Sequence, residues 1–469
     1  YCQLSVGLTP DTRLPLFMSI LFVSCSKRRN AVYLDASARY RCFFPAEHLL
    51  NLGIQAHVTH IRKADSLNLR EYRYLVVHRP QFGKPLLRLM RKAQAAGIRL
   101  IADFDDFLFS PESAECSPAV RSGNMTVREA QRQFGLYRDA LMLFSHCWVS
   151  TDTLKHQVLR YVPDCQVDVV HNRVPPRWAM LAEPRSSEER LAGKVIRYLP
   201  GTSHHIHDFM TILPALNRLL EEHKDVSLEI IGDLKLRSDE LPKNRVTFRK
   251  YLPYEDLPEV IAESWLTIAP LAANTFNNCK SALKFWESGL MGVPLISSPL
   301  PDAERFPNAG LRICRTEAEW LDAFTDMLDP DTYCTASSQA RATAKCAIFD
   351  RSGDRRIELL GDLRAYRRPE PNTDSYWQTQ QLWMKAHFGN NWPETVLSPT
   401  DPQFSLAFET LDRMPQDLTR YTDELEAMCL NSTIGIHEPD MSEVIYRKMR
   451  KLYRNPRLFF ADSYRKWFR

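Results

Sequence analysis

Residues 276–287 carry the residue types and the spacing of an anion-binding helix start. Lys280, Lys284 and Glu287 are separated by four and then three residues, so in a helix they share one face. The N–H groups at the positive end of a helix bind phosphates, and Ser281 and the two lysines would strengthen that binding. Glu287 would then reach a ribose diol. The segment predicts a diphosphate site, and the alternative is that surface lysines simply pair with Glu287.

Three carboxylates follow the apolar residues Leu100, Ile101 and Ala102, namely Asp103, Asp105 and Asp106. Carboxylates crowded at a strand end raise one another's pKa, so Asp105 or Asp106 is predicted to orient an acceptor hydroxyl and take its proton. Binding of a divalent metal and capping of the next helix are the alternatives for this cluster.

The composition excludes several classes of protein. The 469 residues are 44% hydrophobic and 25% charged, which is typical of a soluble globular protein of two or three domains. There are only 16 glycines against 30 prolines, and neither a G-x-G-x-x-G nor a G-x-x-x-x-G-K-[ST] motif occurs, which disfavours nicotinamide enzymes and P-loop NTPases. The 11 cysteines form no C-x-x-C pair and predict reduced core thiols of a cytosolic protein, with neither a disulfide framework nor a metal cluster.

The elements that position these residues alternate between strands and helices, which predicts an α/β fold with parallel sheets. Strands are predicted at 19–23, 56–59, 75–78, 100–103, 147–150, 167–171, 195–198, 227–231, 245–248, 265–269 and 294–297, and helices at 45–52, 85–96, after Asp152, and at 209–223, 257–263 and 281–291. The alternation of strands and helices stops at a polar stretch and then starts again. Two Rossmann-like halves are therefore expected to face each other across a cleft. Ligands bind at the carboxyl ends of such strands.

A resemblance follows from the run FNNCKSALKFWESGLMGVPLISS, which is similar to the donor-site region of GT-B glycosyltransferases of the large retaining family 4. In that family two glutamates eight positions apart commonly frame the diphosphate. Glu287 matches the second of them, and Cys279 stands where the first would be. The resemblance implies a GT-B fold and a donor site at Lys280, Ser281, Lys284 and Glu287.

A second stretch, LPGTSHHIHDF, resembles the glycine turn that this family places against the pyrophosphate. The resemblance implies that Gly201, Thr202 and Asp208 bind the donor and that His205 takes part in catalysis. Gly201 would let the backbone approach the donor closely. The alternative is a polar loop in which Asp208 caps a helix.

In the first half, Arg39, Arg41 and Arg79 are predicted to face the cleft and to recognise an anionic acceptor or the departing diphosphate. Each of them could instead be an ordinary surface arginine.

The chain is predicted to comprise an N-terminal extension (1–17), an acceptor domain (18–176), a linker (177–193), a nucleotide-sugar domain (194–335), a crossing helix with a helical extension (336–445) and a basic aromatic tail (446–469). Met18 resembles a natural initiator, and the apolar run 14–23 is too short to span a bilayer. The tail has nine Lys or Arg residues, one acid and seven aromatics, which predicts peripheral binding to an anionic membrane. A solvated helix is the alternative.

The resemblance thus implies a hexosyltransferase that moves a sugar from a nucleotide-sugar, such as a UDP- or GDP-sugar, to a glycan or lipid-linked acceptor. Bacterial surface polysaccharide such as capsule or O-antigen is the expected product, with retention of configuration and without a metal or cofactor. The protein is expected in the cytoplasm, on the inner face of the cell membrane, without a nucleic-acid partner. A nucleotide-sugar epimerase of the same fold and a non-catalytic assembly partner remain as alternatives.

Overall fold

Two parallel six-stranded sheets form the framework of the protein. The structure is a computed structural model, and it describes residues 19–29, 32–64, 67–178, 185–201, 203–234, 236, 241–306, 309–349 and 354–362. The predicted N-terminal extension, basic aromatic tail and most of the helical extension lie outside the described residues.

The first sheet has the strand order β2-β1-β3-β4-β5-β6, and every neighbouring pair is parallel. Its strands are β1 (Ser19–Ser24), β2 (Gln55–His60), β3 (Tyr74–His78), β4 (Arg99–Phe104), β5 (His146–Val149) and β6 (Gln166–Val169). β1, β3 and β5 are buried along their whole length, as expected for strands covered on both faces by helices.

The second sheet has the order β12-β11-β10-β7-β8-β9 and is also parallel throughout. Its strands are β7 (Val195–Tyr198), β8 (Ser227–Ile231), β9 (Val246–Arg249), β10 (Leu266–Ala269), β11 (Leu295–Ser297) and β12 (Leu311–Ile313). In both sheets the order reverses at a central strand, and the crevice outside that point is where open α/β sheets bind ligands.

Helices connect the strands and cover both sheets. The α-helices of the first half are α1 (Ala36–Ala38), α2 (Phe44–Asn51), α3 (Ile61–Ala64), α4 (Lys84–Ala95), α5 (Pro118–Arg121), α6 (Val127–Leu141) and α7 (Asp152–Tyr161). Those that follow are α8 (Ser187–Gly193), α9 (Ile206–Met210), α10 (Leu213–Glu222), α11 (Leu257–Ala262), α12 (Thr275–Asn278), α13 (Leu283–Leu290), α14 (Glu317–Asp326), α15 (Pro330–Ala344) and α16 (Arg355–Asp362). A π-helical segment, Arg39–Phe43, joins α1 to α2.

The chain returns from the second half to the first after α15. Ile348 forms a parallel bridge with Val174, and Leu359 and Leu360 of α16 pack against Ile20 of β1. These contacts bury apolar surface of the last described helix on the first sheet.

The predicted α/β class with two Rossmann-like halves is confirmed, and each predicted strand is present with boundaries shifted by at most two residues. The single helix predicted over 209–223 is wrong. It is two helices, α9 and α10, because the chain turns at Thr211 and Ile212, and Pro214 lies in the first turn of the next helix, where proline is favoured. The sequence analysis did not identify β12 or α6.

Candidate functional site

A cavity of about 910 Å³ lies between the two halves, at the carboxyl ends of their strands. Residues that follow β1, β3 and β4 line one side, and residues that follow β7 and β10 line the other. The volume is that of a site for a sizeable ligand.

Arg79 lies at the centre of the first half's contribution to the cavity. Its Nε donates to Asp105 Oδ1 at 2.7 Å, and its Nη2 donates to Asp106 Oδ2 at 2.6 Å. The backbone at Arg79 has a φ of +49°, a left-handed conformation that few non-glycine residues adopt. The N–H of Arg79 donates to the Asp103 carbonyl at 2.8 Å, which holds this turn against the end of β4.

Asp105 does not have the raised pKa that its crowded carboxylate neighbours predicted. Burial would raise the pKa of Asp105, but Arg79 and His78 outweigh burial and hold that pKa well below its usual range. Ser37 also donates to Asp105, and the Ser37 hydroxyl lies 2.8 Å from His78 Nε2. A carboxylate bound by so many donors is a weak base, so the predicted raising of its pKa is wrong. Helix capping is wrong as well, because Ser110 caps the next helical segment.

Arg39 and Arg41 do not face the cavity, contrary to the prediction. Arg41 is fully buried and donates to both carboxylate oxygens of Asp103, at 2.9 and 2.6 Å, and to the Val170 carbonyl. Arg39 is buried beside Tyr254, with its guanidinium carbon 4.5 Å from the ring centroid. Both arginines lie on the helical segment after β1, which turns these side chains into the protein. Of the three predicted arginines, only Arg79 lines the cavity.

On the donor side, Lys280, Ser281 and Lys284 all line the cavity. Lys280 Nζ lies 3.9 Å from Asp106 Oδ1, across the gap between the halves. The Ser281 hydroxyl accepts from Asn172 Nδ2 at 2.9 Å. These contacts bring the predicted donor residues to the same cavity as Arg79.

The helix start itself differs from the prediction in one respect. The helix begins at Leu283, and the N–H of Ala282, its N-cap, donates to Asp302 Oδ2 at 2.7 Å. Arg305 in turn lies 2.7 Å from Asp302 Oδ1, which balances the charge of this buried carboxylate. A helix leaves its first amides without intrahelical partners, so those of Leu283 and Lys284 are the ones left for a ligand.

Glu287 is buried, and its carboxylate already has partners. Tyr40 of the first half donates its hydroxyl to Glu287 Oε1, and Lys284 Nζ lies 3.6 Å from Oε2. The ion pair weighed as an alternative is therefore present for Lys284 and absent for Lys280, which lies near Asp106. Among the described residues that line the cavity, Tyr40 is included and Glu287 is not.

The glycine turn after β7 is open to the cavity. Gly201 has a φ of +75°, and a Cβ placed on it would meet no atom within 4 Å. His205 also lines the cavity and pairs through Nδ1 with Asp208 Oδ2 at 2.8 Å. Burial lowers the pKa of His205, although its bond to Asp208 acts in the opposite direction. Thr202 lies outside the described residues.

Asp208 is buried behind His205 rather than exposed to the donor cavity. Its Oδ1 accepts from the Ala272 amide at 2.9 Å and from Asn277 Nδ2 at 3.0 Å. Asp208 therefore anchors the segment that carries α12 and orients His205, and the described cavity lining does not include it. Its contact with the donor stays a prediction. It lies within α9, so it is not the cap that the alternative proposed.

Cys279 is buried in an apolar cluster together with Phe276 and residues of the first half, including Phe134. Burial raises the pKa of its thiol to about 12. The Cys279 carbonyl accepts from Thr151 Oγ1 at 3.1 Å. A glutamate here would place its carboxylate in this core, so the side chain at 279 contributes packing between the halves.

Several cavity residues were missed by the sequence analysis: Lys27, Arg28, Ser37, Tyr40, His78 and His204. His78 immediately precedes Arg79 at the end of β3, so the rule that selected Arg79 also selects His78. Lys27 and Arg28 follow β1 in the same way. His204 lies after β7 in the stretch LPGTSHHIHDF, which had already predicted Gly201 and His205. Tyr40 gave no signal in spacing, because its partners Glu287 and Tyr254 lie in the opposite half.

Part of the chain is similar to a known family. The model described as Glycosyl transferases group 1 matches residues 193–329, which include β7 to β12 and the predicted donor residues. This match supports a transferase. No curated protein matches the chain.

Solved structures are similar to this chain in fold. A glycosyltransferase from Rickettsia africae ESF-5 is 13% identical, with a TM-score of 0.50 over 77% of this chain and 98% of its own. Anabaena HepE, crystallised with UDP and glucose, is 15% identical, with a TM-score of 0.47 over 74% and 98%. A putative UDP-N-acetylglucosamine 2-epimerase from Listeria monocytogenes is 11% identical, with a TM-score of 0.43 over 75% and 99%. The GT-B prediction is confirmed for the fold.

In the part of the chain that the structure describes, no helix is both long enough and apolar enough to cross a bilayer. Within the same residues, no group of three His, Cys, Asp or Glu side chains could hold a metal ion.

Proposed function

We propose that the chain transfers a sugar from a nucleotide-sugar, such as a UDP- or GDP-sugar, to a glycan or lipid-linked acceptor. The observation that carries the proposal is the position of Lys280, Ser281 and Lys284. They belong to the segment that matches the glycosyltransferase family, and they line the cavity between the two halves.

Electrostatic stabilisation is the main chemistry that these residues offer. As the bond to the sugar breaks, negative charge grows on the departing diphosphate. The first-turn amides of α13 and the ammonium groups of Lys280 and Lys284 would stabilise that charge. Gly201, which follows β7 on the same side of the cavity, would let the backbone approach the same phosphates.

His205 and Asp106 complete the proposed catalytic group. His205 lines the cavity and is held by Asp208, so its Nε2 is available to a hydroxyl of the sugar or the acceptor. Asp106, paired with Arg79, would orient the acceptor hydroxyl. Asp105 serves mainly to hold Arg79 and Ser37 in place.

The acceptor would enter from the first half, where Lys27 and Arg28 follow β1 and line the cavity with Arg79. These cations favour an acceptor that carries a phosphate or carboxylate. A role in bacterial surface polysaccharide synthesis, retention of configuration, independence of metal, and peripheral membrane binding through residues 446–469 are parts of the same proposal.

Nucleotide binding tests the proposal directly. Thermal shift and calorimetry with UDP, GDP and CDP should identify one that binds the full chain. Lys280→Ala and Lys284→Ala should each weaken binding by about tenfold or more, because each removes a charge-assisted contact to phosphate. Lys224→Ala is the matched control and should change nothing, because this exposed lysine lies between α10 and β8, before the amino end of the strand, and does not line the cavity.

The alternatives give different results in the same experiments. Binding of none of the three nucleotides would overturn the donor site and favour a non-catalytic partner. Interconversion of the nucleotide-sugar without any acceptor would identify an epimerase. Release of the nucleoside diphosphate that rises with an added acceptor would support the transferase.

A further inference from the structure

Glu287 and Tyr40 form a contact between the two halves of the molecule. Tyr40 belongs to the π-helical segment Arg39–Phe43 of the first half, and Glu287 belongs to α13 of the second. Both side chains are buried, with 3% and 5% of their surface exposed, and the Tyr40 hydroxyl donates directly to Glu287 Oε1. The contact therefore excludes water from the carboxylate.

Aromatic rings hold Tyr40 in this position. Its ring meets Phe44 edge-to-face at 5.1 Å and Tyr254 at 5.9 Å between centroids. Trp178 packs on the other side of Tyr254, at 5.4 Å. The packing fixes the direction of the Tyr40 hydroxyl, and π-helical turns of this kind are frequent at functional sites.

The bond resembles the one that a sugar hydroxyl would make. A phenol O–H that donates to a carboxylate is the same interaction as a ribose O–H that donates to it. The hydroxyl oxygens of Tyr40 and Tyr254 lie 2.9 Å apart, a separation comparable with that of two neighbouring hydroxyls on a ribose. Among the residues that the structure describes, Tyr40 lines the cavity and Glu287 does not.

We propose that the Glu287 carboxylate binds the donor ribose and that the Tyr40 hydroxyl competes for it. Donor binding must therefore break this contact between the halves. The inference rests on the proposed function, because it requires a nucleotide donor whose ribose binds Glu287. When a ligand binds only a minor conformation of a protein, its apparent affinity is reduced in proportion to the fraction of molecules in that conformation. Tyr40 thus sets donor affinity as a competitor, and it links donor binding to the movement of one half relative to the other.

The variant Tyr40→Phe tests this competition, because it keeps the ring packing and removes only the hydroxyl. With whichever of UDP, GDP and CDP binds, its Kd should fall by at least about threefold, since a hydrogen bond to a charged group no longer has to be broken. The 2′,3′-dideoxy form of the same nucleotide has no diol, so its Kd should be equal for wild type and Tyr40→Phe.

Tyr254→Phe is the matched control. It removes the neighbouring hydroxyl but leaves the bond from Tyr40 to Glu287 intact. The nucleotide Kd should therefore change less in Tyr254→Phe than in Tyr40→Phe. Thermal unfolding without ligand shows whether each variant is folded. A purely structural role for Tyr40 would lower the melting temperature and leave the Kd unchanged or raise it.

Hydrogen exchange in the wild type gives a second measurement that needs no variant. Exchange of backbone amides in residues 36–51 should rise when the nucleoside diphosphate binds and stay constant with its dideoxy form. An unchanged or weaker affinity in Tyr40→Phe, or equal wild-type affinity for the two nucleotide forms, would overturn the inference and leave the donor site standing. If no nucleotide binds wild type or variant, both proposals fail.

Discussion

Arg79 shows how one side chain changes the chemistry of its neighbours. Asp105 and Asp106 are adjacent carboxylates, and in water their repulsion would raise one pKa. The guanidinium donates to both of them, so it offsets part of their charge and holds one oxygen of each carboxylate in a defined position. The site therefore contains an oriented ion-pair cluster where the sequence suggested a free base.

Replacing Arg79 should be costly for stability. Arg79→Gln leaves two carboxylates without their cation in a partly buried site, and we expect the free energy of unfolding to fall by about 2–4 kcal/mol. Urea denaturation of the full chain measures the change. The same variant should raise the pKa of Asp105, because its main compensating charge is gone.

Asp106→Asn is the matched control for this cluster. It removes one of the two carboxylate contacts and leaves Asp105 paired, so its cost should be about 1 kcal/mol. Equal losses in the two variants would contradict the view that Arg79 serves both acids.

At the scale of elements, α13 carries the donor residues and depends on α15 for its position. The two helices pack against each other, and Gly289 is at their contact. A Cβ on Gly289 would lie 2.8 Å from the Ala340 carbonyl oxygen and 2.9 Å from the Ala344 Cβ. Only a glycine permits this close approach, and the approach sets where Lys284 and Glu287 lie.

Gly289→Ala should therefore destabilise the protein. The added methyl meets backbone that cannot move freely, and we expect a loss of about 1–3 kcal/mol in the free energy of unfolding. Weaker nucleotide binding should accompany it if α13 shifts. Chemical denaturation and calorimetry on the same variant measure both effects.

Gly135→Ala provides a control with the opposite sign. Gly135 lies inside α6, and a Cβ there would meet nothing within 4 Å. Alanine is the better helix former, so this variant should gain up to about 1 kcal/mol. A loss at Gly135 as large as that at Gly289 would show that crowding is not the cause.

For the whole molecule, buried histidines connect stability to pH. Burial lowers the pKa of His60, His146, His171, His204 and His205, which are distributed over both halves. In the unfolded chain the pKa of each of these rings is about 6.5. Below that pH the unfolded state binds more protons than the folded state, so falling pH favours unfolding.

The melting temperature should accordingly fall as the pH is lowered from about 7.5 to about 5.5. Differential scanning calorimetry across this window measures it. His146→Gln removes one of the contributing rings and should make the dependence shallower. A melting temperature that stays constant or rises over the same window would contradict the effect of histidine burial.

The sequence by itself determined the α/β class, the strands apart from β12 and the edge at which ligands bind. Apolar periodicity is local, and residues just after strands necessarily lie at the carboxyl edge, which is how Arg79 could be named. Lys280 and Ser281 could be named because they stand at a predicted helix start in a stretch that resembles a known donor site. Gly201 was also accessible from sequence, since its role rests on backbone freedom.

Only the tertiary structure decided where side chains point and what they contact. Arg39 and Arg41 have the same local signal as Arg79, yet packing after β1 turns both inward. Tyr40 and Glu287 are far apart in the chain, and their bond exists only because the two halves meet. Hydrogen bonds and charge pairs between distant segments depend on three-dimensional distance, and residue spacing along a chain does not contain that information.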